Sequence, residues 1–110
     1  MGISKTEKYS EAELVRANQF KALGHPARLA IVAFLLKQKD CICNDIVNEL
    51  PLAQPTISQH LKELKIAGII QGTIEGKSIC YCINPKVIQD LVNYFQSIIA
   101  NLPSDNQCCP

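Results

Sequence analysis

The chain has 110 residues, 47% hydrophobic and 19% charged, and carries a net charge of +1. That length suits one domain, and that balance belongs to a globular rather than a disordered chain. No apolar run approaches the roughly 18 residues of a membrane helix. The start, Met-Gly-Ile-Ser-Lys-Thr, has no apolar signal region, so a cytoplasmic protein with no membrane partner is expected. Met1-Gly2 with Thr6 is a short, weak match to a myristoylation site and reads as an ordinary start.

A charge so near zero does not announce a nucleic-acid binder. Acidic residues thin out after Glu49, however, with only Glu63, Glu75, Asp90 and Asp105 beyond it, which leaves room for a modest basic face. Six cysteines fall in three tight pairs: Cys41 and Cys43, Cys80 and Cys82, Cys108 and Cys109. With no export signal and enough apolar content for a core, they point to metal or redox chemistry rather than to a disulfide framework.

Ser10 before Glu11-Ala12-Glu13 predicts a helix N-cap, and Gly24 its end. Leu14, Ala17 and Phe20 follow at helical spacing. Pro26 stands where a first helical residue belongs, and Ala27 to Lys37 continues as a second helix. Its run from Leu29 to Leu36 is apolar enough to be central to the core. Asn44 to Leu50 reads as a short helix that buries Ile46, Val47 and Leu50, and Pro51-Leu52-Ala53 reads as a turn. Gln54 to Ala67 is the next helix, with Ile57, Leu61 and Leu64 on one stripe and Gly68 at its end. Ile69 to Ile74 reads as a strand, Glu75-Gly76-Lys77 as a hairpin tip, and Ser78 to Ile83 as the return strand. Asn84-Pro85 opens a last helix with apolar Ile88, Leu91, Val92, Phe95, Ile98, Ile99 and Leu102. The expected division is a domain over residues 1–102 and a flexible, cysteine-containing tail over residues 103–110.

Short helix, turn, longer helix and hairpin make a winged helix-turn-helix. The fold class is mostly α with a small β-hairpin, in the order α-α-α-α-β-β-α. Opposite its apolar stripe the longer helix offers Ser58, Gln59 and Lys62, with Gln54 and Thr56 near its N-terminus. Hydroxyls and amides suit base edges and a lysine suits phosphate, so the expected partner is double-stranded DNA. Lys77 at the hairpin tip would touch the DNA backbone or the minor groove. His60, at the stripe's edge, is open to either DNA contact or packing.

Three stretches make the pattern specific: Phe20 to Leu29 (FKALGHPARL), Gln54 to Leu64 (QPTISQHLKEL) and Ala67 to Ile70 (AGII), followed by Gly76-Lys77 ahead of Tyr81. On these residues the chain resembles the ArsR/SmtB family of metal-responsive repressors from about Phe20 to Leu102. The resemblance implies a homodimer that binds operator DNA and releases it when an inducer binds. The apolar last helix fits a dimer seam.

Cys41 and Cys43 lie just before, or at the start of, the short helix, where a helix N-terminus would favour thiolates that take soft ions. Residues two apart on a helix point to nearly opposite sides, so both sulfurs hold one ion only if the segment is non-helical or distorts. Such a distortion would shift the reading helix off DNA. Cys-x-Cys here resembles the family's arsenic, antimony and cadmium sensors. The arsenic-sensor pattern would place a third thiol at position 46, which is Ile46, so Cys108 or Cys109 on the tail would have to supply it. Cys80 and Cys82 share one face of the return strand and read first as core packing. The family's zinc site on the last helix uses His and carboxylates; that helix has no His and only Asp90.

The reading is a repressor released by As(III) or Sb(III), with no organic cofactor. Cd(II) or Pb(II) sensing and a thiol redox or persulfide switch are the alternatives on the same fold. A thiol enzyme or metal chaperone is the remote one, with no Cys-x-x-Cys, no phosphate loop and no nucleophile beside His25 or His60.

Overall fold

The computed structural model describes residues 8–37, 42–43, 53–75 and 78–103. Its elements are α1 (Glu11–Leu23), α2 (Pro26–Leu36), β1 (Ile42–Cys43), α3 (Gln54–Ile66), β2 (Ile70–Glu75), β3 (Ser78–Ile83) and α4 (Pro85–Ala100). The expected short helix over 44–50, the tip residues Gly76 and Lys77, and tail positions 104–110 lie outside the described residues.

Local chemistry sets the helix ends. The Ser10 hydroxyl accepts from the Glu13 amide at 3.1 Å while the Glu13 carboxylate accepts from the Ser10 amide at 2.9 Å. Each side chain thereby satisfies a backbone donor that the first turn leaves over. His25 starts α2 in the same way, its Nδ1 accepting from the Ala27 amide at 3.0 Å, with Pro26 in the first turn. At the end of α3 the Ile69 amide donates to Leu64 and the Gly68 amide to Lys65, both at 3.0 Å. That double closure needs a left-handed residue, and Gly68 has φ +81°. The chain thus turns sharply from α3 into β2.

β3 is the central strand of a three-stranded sheet, flanked by β1 and β2, both antiparallel to it. The β2–β3 hairpin is the one expected from the alternating residues. The sequence predicts the approach to a helix around Cys41 and Cys43, whereas the structure has strand β1 there, with Ile42 paired to Tyr81 and Cys43 to Cys80. Two residues carry no period of their own, and only the partner strand makes them a strand.

The core joins Ala22 of α1, Ile31 and Leu35 of α2, Ile57, Leu61 and Leu64 of α3, Ile69, Ile70 and Leu91. The apolar run of α2 is central on one side only. Ile31 is buried, but Leu29 is 53% and Leu36 68% exposed, because one face of a single helix meets the core. Leu64 is fully buried. Leu64→Ala is expected to cost about 2–5 kcal/mol by lost burial plus a cavity. Urea unfolding checks this as a lower midpoint at unchanged slope.

Candidate DNA-reading face and thiol site

α3 has two sides. Ile57, Leu61 and Leu64 are buried, whereas Thr56, Ser58, Gln59 and Lys62 are exposed. Those apolar residues bolt the helix to the body, so the exposed polar side chains are presented on a rigid support. Gln54 is in the first turn of the same helix. The N-cap is Ala53, whose methyl cannot accept a hydrogen bond, and Pro55 follows in the first turn. The first-turn amides are thereby left for another acceptor, and a DNA phosphate suits them.

His60 differs from its neighbours. It is 8% exposed, and its Nδ1 accepts from Arg28 Nε of α2 at 3.1 Å. Its ring lies 4.5 Å, centroid to centroid, from that of His25. Arg28 also donates to the Ala22 carbonyl at 3.4 Å. His60 therefore packs α3 against the α1–α2 corner. Burial, then the charges of His25 and Arg28, hold its pKa below the ordinary value of 6.5. Neutral His60 keeps Nδ1 as an acceptor; a proton there would oppose the Arg28 bond.

A depressed folded-state pKa means that the unfolded chain takes up the proton first as pH falls. The stabilisation is thus complete above about 6.5 and is lost as pH drops below it towards the folded value. The urea midpoint is expected to fall between pH 7.5 and pH 5.5, with a shallower fall in His60→Gln. Equal slopes in the two proteins would contradict this role.

Of the sulfurs, Cys80 is 1% exposed, as core packing requires, and is in a disulfide. Cys82 is half-buried. Cys80 and Cys82 do share a face of β3, two residues apart. Cys43 is in β1, opposite Cys80. Cys43 lies in strand β1 rather than in the first turn of a helix. Cys41, Cys108 and Cys109 lie outside the described residues, as does Lys77, which the sequence predicts at a hairpin tip. Among the described residues no three His, Cys, Asp or Glu gather into a metal site. Nor is any helix among them long and apolar enough to cross a membrane.

α4 completes the picture. Its Tyr94 and Phe95 rings pack on Phe20 of α1 at 5.5 and 5.4 Å, and Arg16 stacks over Tyr94 at 5.6 Å. Gln19, which sequence reasoning did not single out, is buried and accepts from Arg16 at 2.9 Å. Beyond these contacts Val92, Ile98, Ile99 and Leu102 remain 41–64% exposed.

A helix bolted through one stripe with its polar side exposed, followed by a hairpin and backed by helices, defines a winged helix-turn-helix protein of the DNA-binding class. Residues 25–71 match the profile of the arsR family of bacterial regulatory proteins. The chain is 38% identical over 82 residues to the transcriptional repressor SdpR of Bacillus subtilis, covering 74% of this chain and 90% of that protein. It is 32% identical over 71 residues to the arsenic resistance transcriptional regulator ArsR1 of Pseudomonas putida, covering 64% of this chain and 55% of that one. The fold matches an ArsR-like transcriptional regulator from Rhodococcus with a TM-score of 0.74 at 22% identity, over 83% of this chain and 85% of that one. The chain belongs to the ArsR/SmtB family of DNA-binding transcriptional repressors, whose members are regulators rather than enzymes.

Proposed function

We propose that the protein is a homodimeric repressor that releases its operator when a thiophilic ion, As(III) or Sb(III) first, binds cysteine thiolates. Gln54, Thr56, Ser58, Gln59 and Lys62 would read and grip double-stranded operator DNA, with Lys77 on the hairpin tip touching the backbone. His60 would hold the helix in place and reach DNA only at its edge. The observation that carries the DNA side is the split of α3 into a buried stripe and an exposed polar face. Dimerisation would use the uncovered apolar face of α4, which is the kind of patch a lone small domain seldom leaves in water.

On the sensing side, Cys41 and Cys43 would be the primary ligands, with Cys108 and Cys109 as the tail's contribution. The strand geometry of Cys43 changes how binding would act. An ion that drew its thiolate out of β1 would break the pairing with β3, the central strand of the wing. The wing would then lose its fixed angle to α3, and the two could no longer fit one stretch of duplex. Support for arsenic comes from the Cys-x-Cys pattern and from the likeness to a relative named for arsenic resistance. Cd(II) and Pb(II) share the preference for thiolates. A thiol redox or persulfide switch is favoured by a different observation, the disulfide at Cys80.

The test of DNA reading is fluorescence anisotropy on an operator fragment recovered by footprinting. Affinity should fall steeply with salt, as phosphate contacts release counterions. Gln59→Ala should cost about 1–3 kcal/mol at one base pair, and Lys62→Ala should weaken binding on every sequence and flatten the salt slope by about one unit. A flat salt response, or Gln59→Ala binding like wild type, would count against this reading.

A further inference from the structure

Three facts about the sheet converge on one site. Cys80 is buried, its sulfur is in a disulfide, and Cys43 is its partner in the β1–β3 register. Directly opposed residues on antiparallel strands have Cα atoms about 4.5 or 5.5 Å apart. Both values lie within the roughly 4.4–6.8 Å that a disulfide spans. Cys82, the other thiol on that face, is two residues along the same strand, at about 6.6 Å by strand rise, on the outer edge of that range.

We propose that Cys43 and Cys80 form one cross-strand thiol site, closing to a disulfide between β1 and the wing strand β3 and, when reduced, offering two thiolates to the thiophilic inducer. The second half rests on the sensing role proposed above, and it replaces the tail by Cys80 as the nearest partner of Cys43. The site joins the two elements whose separation would loosen the wing.

The closing step balances with a small organic disulfide, RSSR, as oxidant. The Cys43 thiolate attacks one sulfur of RSSR and expels RS⁻. Cys80, too buried to meet the oxidant first, loses its proton and attacks the Cys43 sulfur of the mixed disulfide, expelling the second RS⁻. Two protein thiols are oxidised by two electrons, and one RSSR is reduced to two RSH, which carry the two protons away. Such exchange runs through the thiolate and a mixed disulfide.

The reduced full chain is treated with oxidised glutathione, alkylated, digested with trypsin and analysed by mass spectrometry. Cleavage after lysine places Cys41 and Cys43 on peptide 40–62, Cys80 and Cys82 on 78–86, and the tail cysteines on 87–110. A linked 40–62/78–86 species is expected. It should vanish in Cys43→Ser and in Cys80→Ala, and persist in Cys41→Ser and in the Cys108→Ser, Cys109→Ser double variant. If Cys80→Ala does not fold, Cys43→Ser alone decides. A link that survives Cys43→Ser, or one joining 78–86 to 87–110 instead, overturns the pair. Oxidation should also abolish operator release by arsenite, and reduction with a water-soluble phosphine, which offers arsenite no competing dithiol, should restore it. A reduced chain that ignores arsenite would end the ion reading, while the linked peptide, still found, would uphold the pair.

Discussion

A Val92→Asp, Ile99→Asp double variant is expected to sediment as a monomer and to bind operator DNA about 100-fold or more weakly than wild type. Both positions lie on the uncovered stripe of α4, 41% and 64% exposed. Neither takes part in the ring contacts of Tyr94 and Phe95 with Phe20 that hold α4 to α1. The substitutions should therefore leave the subunit folded and act on assembly. In the proposed homodimer, two carboxylates placed seven residues apart would meet their own copies across the two-fold seam, where like charges repel and desolvation is costly. A monomer would keep one copy of α3 and lose the second half-site, and with it the gain from simultaneous binding. Sedimentation velocity and anisotropy on the same samples read both effects. A variant that stays dimeric would move the seam away from α4.

The second large effect concerns the thiols. Cys43→Ser is expected to leave operator affinity near the wild-type value and to weaken the thiophilic ion by at least about 100-fold, since loss of an outer-shell partner alone costs 10–100-fold. Ser keeps the size of the side chain and removes the soft donor. β1 pairs through its backbone, so the strand does not depend on the sulfur. Cd(II) provides the readout, through the ultraviolet absorbance of cadmium–thiolate bonds titrated in the reduced protein. Unchanged absorbance in Cys43→Ser would move the site to other cysteines.

The parts of this structure that sequence reveals are those whose physics is local. Ser10 and Glu13 satisfy each other's backbone within four residues, so the start of α1 is written in the sequence. Ile57, Leu61 and Leu64 repeat at the helical period, so the buried side of α3, and by subtraction its exposed polar side, can be read directly. Gly68 marks the end of α3 because the closure there needs positive φ. What escapes the sequence is set by partners far along the chain. β1 is two residues long and exists because β3 is beside it. The role of His60 depends on Arg28, 32 residues earlier, whose guanidinium no periodicity links to it. In α2, apolar residues on every side hide which face meets the core, and only packing exposes Leu29 and Leu36. The thiols show the same divide. Their pairing in sequence is plain, but the alignment of Cys43 with Cys80 comes from strand register alone.

The most direct measurement is a titration of arsenite into the reduced, full-length protein bound to a labelled operator fragment, followed by anisotropy. The complex is expected to dissociate as arsenite saturates the thiols, with zinc at the same concentration having far less effect. Persistent binding at saturating arsenite, with dissociation produced by oxidant alone, would contradict it.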